Sequence, residues 1–133
     1  MITIGSLYHK RESKGWCSFV ELAMMLGTKN YKFVSFGYGV PKNNHFLSAY
    51  AYSPNNNVKK SIYRSADIWF SDTVMEGFHN VPAEAAIEGC FIVCNRVISN
   101  GMSDYATDET AGLFTSLVEA VRIIKNPDFT STK

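Results

Sequence analysis

The chain alternates short apolar runs with stretches of helical spacing, and few folds accept that pattern. Met1 to Leu7 reads as a first strand, with Ile2 and Ile4 apolar. A polar, basic loop from His9 to Gly15 follows it. Trp16, Phe19, Val20, Ala23, Met24 and Gly27 then recur at the spacing of one helix face, and Gly27 is a stop. Phe33-Val34-Ser35-Phe36 predicts a second strand, and Phe46 to Tyr52 a short third strand. Ser53-Pro54 reads as an N-cap with proline at the first helical position, and Val58 and Ile62 form that helix's apolar side.

Asp67 to Ser71 is the next apolar run. A loop, Asp72 to Asn80, leads into Pro82 to Glu88, a run of good helix formers with proline near its start, ended by Gly89. Phe91-Ile92-Val93-Cys94 predicts a buried strand, and Ser99 to Glu109 a long polar loop. Ser116 and Glu119 make a capping box for a last helix, Leu117 to Lys125. The order is strand, helix, strand, strand, helix, strand, helix, strand, helix. Apolar runs without polar alternation belong to strands covered on both sides, so the expected architecture is α/β: a three-layer, Rossmann-like parallel sheet with helices on both faces.

Composition narrows the function classes. The 133 residues suit one domain, and 46% hydrophobic against 19% charged residues is a globular balance. Thirteen Lys plus Arg against 12 Asp plus Glu leave a formal charge of +1, which gives no broad basic surface for nucleic acid or anionic lipid. No apolar run approaches the roughly 20 residues that span a bilayer. Ile2 to Tyr8 is too short for a signal peptide and contains Gly5 and Ser6, so the expectation is a soluble, cytoplasmic chain, with a place at the inner face of a membrane left open. Cys17, Cys90 and Cys94 lack a CxxC pair; Cys90 and Cys94 flank an apolar run and read as small buried residues. The three scattered histidines, His9, His45 and His79, do not make a metal site.

In an open parallel sheet ligands bind beyond the C-terminal ends of the strands. Three loops fall there: Tyr8–Gly15, Asp72–Asn80 and Asn95–Tyr105. The second carries the clearest chemistry. Glu76 precedes a helix and Glu84 lies one turn inside it, with a glycine and the free N–H groups of a helix start between them. Such a start suits a phosphate, and two acceptor-only carboxylates suit a ligand rich in hydroxyls. A nucleotide sugar offers both.

Glu76 and Glu84, with seven residues between them, resemble the paired-glutamate motif of retaining glycosyltransferases of the GT-B fold, in the glycosyl transferases group 1 (glycosyltransferase family 4-like) family. Four segments carry the likeness in the same order. Tyr63 to Ile68 resembles the family's Tyr-x-x-Ala-Asp strand, and Glu84 to Val93 its Glu-Ala-Met-Ala-x-Gly-x-Pro-Val-Val segment. Asn100 to Ala106 looks like the loop that follows, and Thr110 to Phe114 like the closing Gly-Leu-Leu strand.

The resemblance implies half of a GT-B fold: residues 1–133 as the C-terminal, donor-binding domain, without the N-terminal domain that holds the acceptor. It implies a retaining hexosyltransferase of surface polysaccharide or glycoconjugate synthesis, inactive without its other half, and working with neither cofactor nor metal. Glu76 takes the position that contacts the donor hexose, and Glu84 the position that contacts the ribose. Lys14, before Gly15, is the cation on the leaving diphosphate; with Glu76 it forms the catalytic set. Gly77, Phe78, His79, Asn80, Asn100 and Gly101 line the donor pocket.

Two departures stand out. Gly5 is followed by Ser6 where the family has arginine, so Arg11 is the candidate to supply that charge. His79 stands where glycine is common. Both keep a second reading in play: a nucleotide- or sugar-binding module without catalysis, or a scaffold subunit of a split transferase.

Overall fold

The structure is a computed structural model, and it describes residues 1–9, 15–41, 43–72, 80–95, 111–114 and 116–125. The elements run β1 (Ile2–Tyr8), α1 (Trp16–Leu26), β2 (Tyr31–Gly37), β3 (Ala49–Tyr52), α2 (Asn56–Ser65), β4 (Ile68–Ser71), α3 (Asn80–Ile87), β5 (Phe91–Asn95), β6 (Ala111–Phe114) and α4 (Leu117–Lys125). The strands form one six-stranded sheet in the order β3-β2-β1-β4-β5-β6, and every pairing is parallel. This is the α/β Rossmann-like architecture expected from the alternation.

Neighbouring residues of β2, β4 and β5 enter different cores. Ile4, Phe33, Ile68, Phe70, Val93 and Phe114 pack under α1 and α4, with Trp16, Phe19, Leu22, Ala120 and Ile124. Val34, Phe36, Trp69, Ile92 and Cys94 pack on the other face, under Tyr63 of α2 and Ala85 of α3. That split is why the strands read as unbroken apolar runs: each side chain meets a helix layer whichever way it points. Cys90 and Cys94 are buried outside any disulfide, as expected, and the Cys90 thiol donates to the Tyr63 carbonyl at 3.0 Å.

Several local expectations are corrected. Asn55, not Ser53, caps α2: its side chain accepts from Val58 N at 2.9 Å, while Ser53 sits in the left-handed region at φ 48°. Pro54 therefore precedes the cap. Asn55→Ala should lower stability by about 1 kcal/mol in urea denaturation, the usual cost of a lost N-cap. The inward face of α2 is set by Tyr63, with Ile62 packed beside it and Val58 exposed. In α1, Leu22 is buried and Met24 faces solvent, because the helix tilts its 16-19-22-23 side onto the sheet.

Helix α3 opens at Asn80 rather than at Pro82, so the proline falls in the first turn, where its missing N–H costs nothing. The third strand starts at Ala49, not Phe46; Phe46 packs on the α1 face instead. Strand β6 is an addition to the order read from apolar spacing; only the family likeness marked it. The serine half of the capping box at α4 is present, with Ser116 Oγ accepting from Glu119 N at 3.3 Å. Among the described residues, no helix is long and apolar enough to cross a membrane.

Candidate functional site

The strand order reverses at β1. From β1 the chain builds outward through β2 and β3, then returns to lay β4 against β1's other side. At such a switch point the connections leaving the two central strands run in opposite directions, and a crevice opens beyond their C-terminal ends. Tyr8 ends β1 and Ser71 ends β4, so the first two of the three loops named from sequence begin at this point.

The two sides of the crevice are joined. Ser18 Oγ, in the first turn of α1, donates to Asp72 Oδ2 just after β4. Gly15 caps α1 at φ 85°, and a Cβ there would lie 2.9 Å from the Asp72 carbonyl. Glycine meets both demands: the left-handed backbone and the close approach. Beside this, Tyr8 stands edge-on to Trp16, with ring centroids 5.1 Å apart, and borders a cavity of about 340 Å³ with His9, Tyr38, Gly39 and Val40.

A second cavity, of about 350 Å³, runs between α2 and α3. Asn56, Lys59, Lys60 and Tyr63 line it from α2; Glu84, Ile87 and Glu88 line it from the α3 side. The Tyr63 hydroxyl donates to Glu84 Oε1 at 2.9 Å. Burial, and then the neighbouring Glu84 carboxylate, push the Tyr63 phenol far above its ordinary range, so it stays a proton donor. The Lys59 ammonium lies 5.7 Å from the Phe36 ring centre and 5.9 Å from that of Tyr38, which also borders the first cavity. Lys59 thus stands between the two cavities. Arg64 Nε meets Glu88 Oε1 at 2.7 Å and ties the far ends of α2 and α3 together.

Of the residues assigned from sequence, Glu84 is on α3 with its carboxylate in the second cavity. Asn80 opens α3. Arg11, Lys14, Glu76, Gly77, Phe78, His79, Asn100 and Gly101 lie outside the described residues, so the pairing of Glu76 with Glu84 does too. Ser6 is in the middle of β1, buried, with its hydroxyl donating to the Phe70 carbonyl at 2.8 Å. Its hydroxyl is thus spent on a sheet hydrogen bond. Sequence reasoning missed Lys59, Lys60 and Asn56, which read as ordinary surface residues of a polar helix. It quoted Tyr63 as part of a strand signature, not as a partner of Glu84. A tyrosine on the inward side of a helix was the available signal, since a buried phenol needs a hydrogen-bond partner.

No family model matches the chain, and no curated protein matches it in sequence. Solved structures do match its shape. The C-terminal domain of a glycosyl transferase group 1 family protein (LpcC) from Francisella tularensis superposes with a TM-score of 0.71 over 96% of this chain and 77% of that one, at 18% identity. The pneumococcal O-GlcNAc transferase GtfA, in complex with UDP and GlcNAc, gives 0.75 over 98% of this chain at 11% identity, and TarM 0.72 over 92% at 19%. The chain has the fold of one half of a GT-B glycosyltransferase. At these identities the likeness is one of fold. The chain spans 35% of the OtsA chain, 30% of the GtfA/B chain and 27% of the TarM chain.

Proposed function

We propose that this chain is the donor-binding half of a retaining glycosyltransferase. It binds a nucleotide-diphosphate sugar and, completed by an acceptor-binding domain or subunit, transfers the sugar to an acceptor hydroxyl with the anomeric configuration kept. Surface polysaccharide or glycoconjugate synthesis is the setting the family likeness supports. One observation carries the reading. Glu84 lies in the second turn of α3, in a cavity of about 350 Å³, with one carboxylate oxygen held by a buried phenol. The fold around it is shared with transferases, one of them solved with UDP and GlcNAc.

In this proposal Glu84 accepts hydrogen bonds from the ribose and Glu76 from the donor hexose. The diphosphate rests against the N–H groups that open α3, where the helix dipole favours negative charge. Lys14 and Arg11 meet the charge that grows on the leaving diphosphate; fixed cations in a water-poor site help most at that stage. His79, Gly77, Phe78, Asn80, Asn100 and Gly101 complete the donor pocket. The scheme includes no cofactor and no metal.

Calorimetric titration with UDP, GDP and dTDP and their sugars tests it. Glu84→Ala should weaken binding of the preferred ribonucleoside diphosphate about tenfold, the scale of a lost hydrogen bond to a charged group. Absence of binding by the unaltered chain would refute the reading.

Ser6 favours the second reading, a binding module without catalysis. Its hydroxyl is committed to the sheet, so no charge reaches the donor from that position. Turnover on addition of an acceptor-binding domain identifies the enzyme; binding without turnover identifies the module.

A further inference from the structure

Tyr63 crosses from the interior to the cavity. The residue is 2% exposed, and its ring is gripped edge-on by Trp69 at 4.9 Å and by Phe36 at 5.7 Å between centroids. Its hydroxyl donates to Glu84 Oε1. Any acceptor would satisfy a buried phenol; Tyr50 uses the Gly39 carbonyl for that purpose. The choice of a carboxylate therefore matters to the carboxylate. A glutamate on an exposed helix face samples several rotamers, and a charge-assisted hydrogen bond from a donor that cannot move selects one. Among the described residues Tyr63 is the one hydrogen-bond partner of the Glu84 side chain, and it engages Oε1 alone. A carboxylate has about four acceptor positions, so the remaining ones stay available to a ligand.

We propose that Tyr63 is a positioning residue: it fixes the Glu84 carboxylate in the orientation that receives the neighbouring hydroxyls of a ribose, and so sets a preference for ribonucleotides over 2′-deoxyribonucleotides. This rests on the reading of Glu84 as the ribose partner and adds what makes that partner selective. A freely rotating glutamate would still attract hydroxyls, but it would lose orientational freedom on binding, and the second hydroxyl would add less.

The test titrates the full chain with UDP and GDP and with their 2′-deoxy analogues. Unaltered protein is expected to bind the better ribonucleotide about tenfold more tightly than its deoxy form, the worth of one hydrogen bond to a charged group. Tyr63→Phe removes only the hydroxyl. It should reduce that preference to about threefold or less, with deoxy affinity unchanged. In a Glu84→Ala background Tyr63→Phe should have no further effect, because it acts through the carboxylate. Glu84→Asp keeps the charge but retracts it from Tyr63, and should lose the preference as Tyr63→Phe does.

Full preference retained in Tyr63→Phe or in Glu84→Asp overturns the proposal. So do additive losses in the double variant, which would mark Tyr63 as packing alone. If nucleotides bind but Glu84→Ala leaves the ribose preference intact, the ribose role of Glu84 fails first, and that of Tyr63 with it.

Discussion

Phe70→Ala is expected to lower stability by about 3–5 kcal/mol and the melting temperature by roughly 10 °C or more. Phe70 is 1% exposed in the middle of β4. Its ring stacks on Phe114 of β6, with centroids 5.4 Å apart and planes 8° from parallel, and on Phe19 of α1 at 6.0 Å. Phe19 in turn meets Phe33 and Phe46, at 5.8 and 5.7 Å. Removing Phe70 thus opens a void where two strands and a helix converge, and the rings around it are too constrained by one another to collapse into it. Each lost aromatic contact adds about 0.5–1.5 kcal/mol to the burial term. Urea denaturation followed by tryptophan fluorescence measures the effect. A loss below about 1 kcal/mol would mean that this core closes over the void, contrary to the packing described.

Gly5→Ala is expected to cost about 1–3 kcal/mol although it adds a single methyl group. Gly5 lies opposite Trp69 in the β1–β4 register. A Cβ at position 5 would sit 2.5 Å from Trp69 Cε3 and closer still to Cζ3. The indole cannot step aside, since Tyr63 stands edge-on at 4.9 Å and Phe36 lies 5.8 Å away on the same face. The decisive comparison is a double variant. With Trp69→Leu already present, Gly5→Ala should cost much less, because residues in contact are coupled. Equal costs in both backgrounds would show that the methyl group meets something other than the indole.

The alternation of apolar runs made the fold class readable, because a side chain covered on both faces leaves its mark at every position of a strand. Helix α4 was readable to its first and last residue, since Ser116, Glu119 and the polar end are local signals. What depends on distant partners was not. The place of Gly5 against Trp69 follows from two segments 64 residues apart coming into register, and nothing near Gly5 announces it. Strand β6 is short and includes Gly112, so it carries too little apolar signal to be seen by spacing. At α2 the series Ser53-Pro54-Asn55 offers two good caps, and only the backbone decides between them: Ser53 turns left-handed and passes the role to Asn55. In the candidate site, the place of Glu84 on a helix was legible from the helix formers around it. Its neighbours Lys59 and Tyr63 were not, because their approach to it depends on how α2 lies against α3.

The contact between Gly15 and Asp72 has a mechanical consequence. Residues 10–14 and 73–79 both connect to this one junction, the first at Gly15 and the second at Asp72. Asp72 meets the Ser18 hydroxyl through its side chain and Gly15 through its carbonyl, so a single substitution there reaches the start of α1 and the end of β4 together.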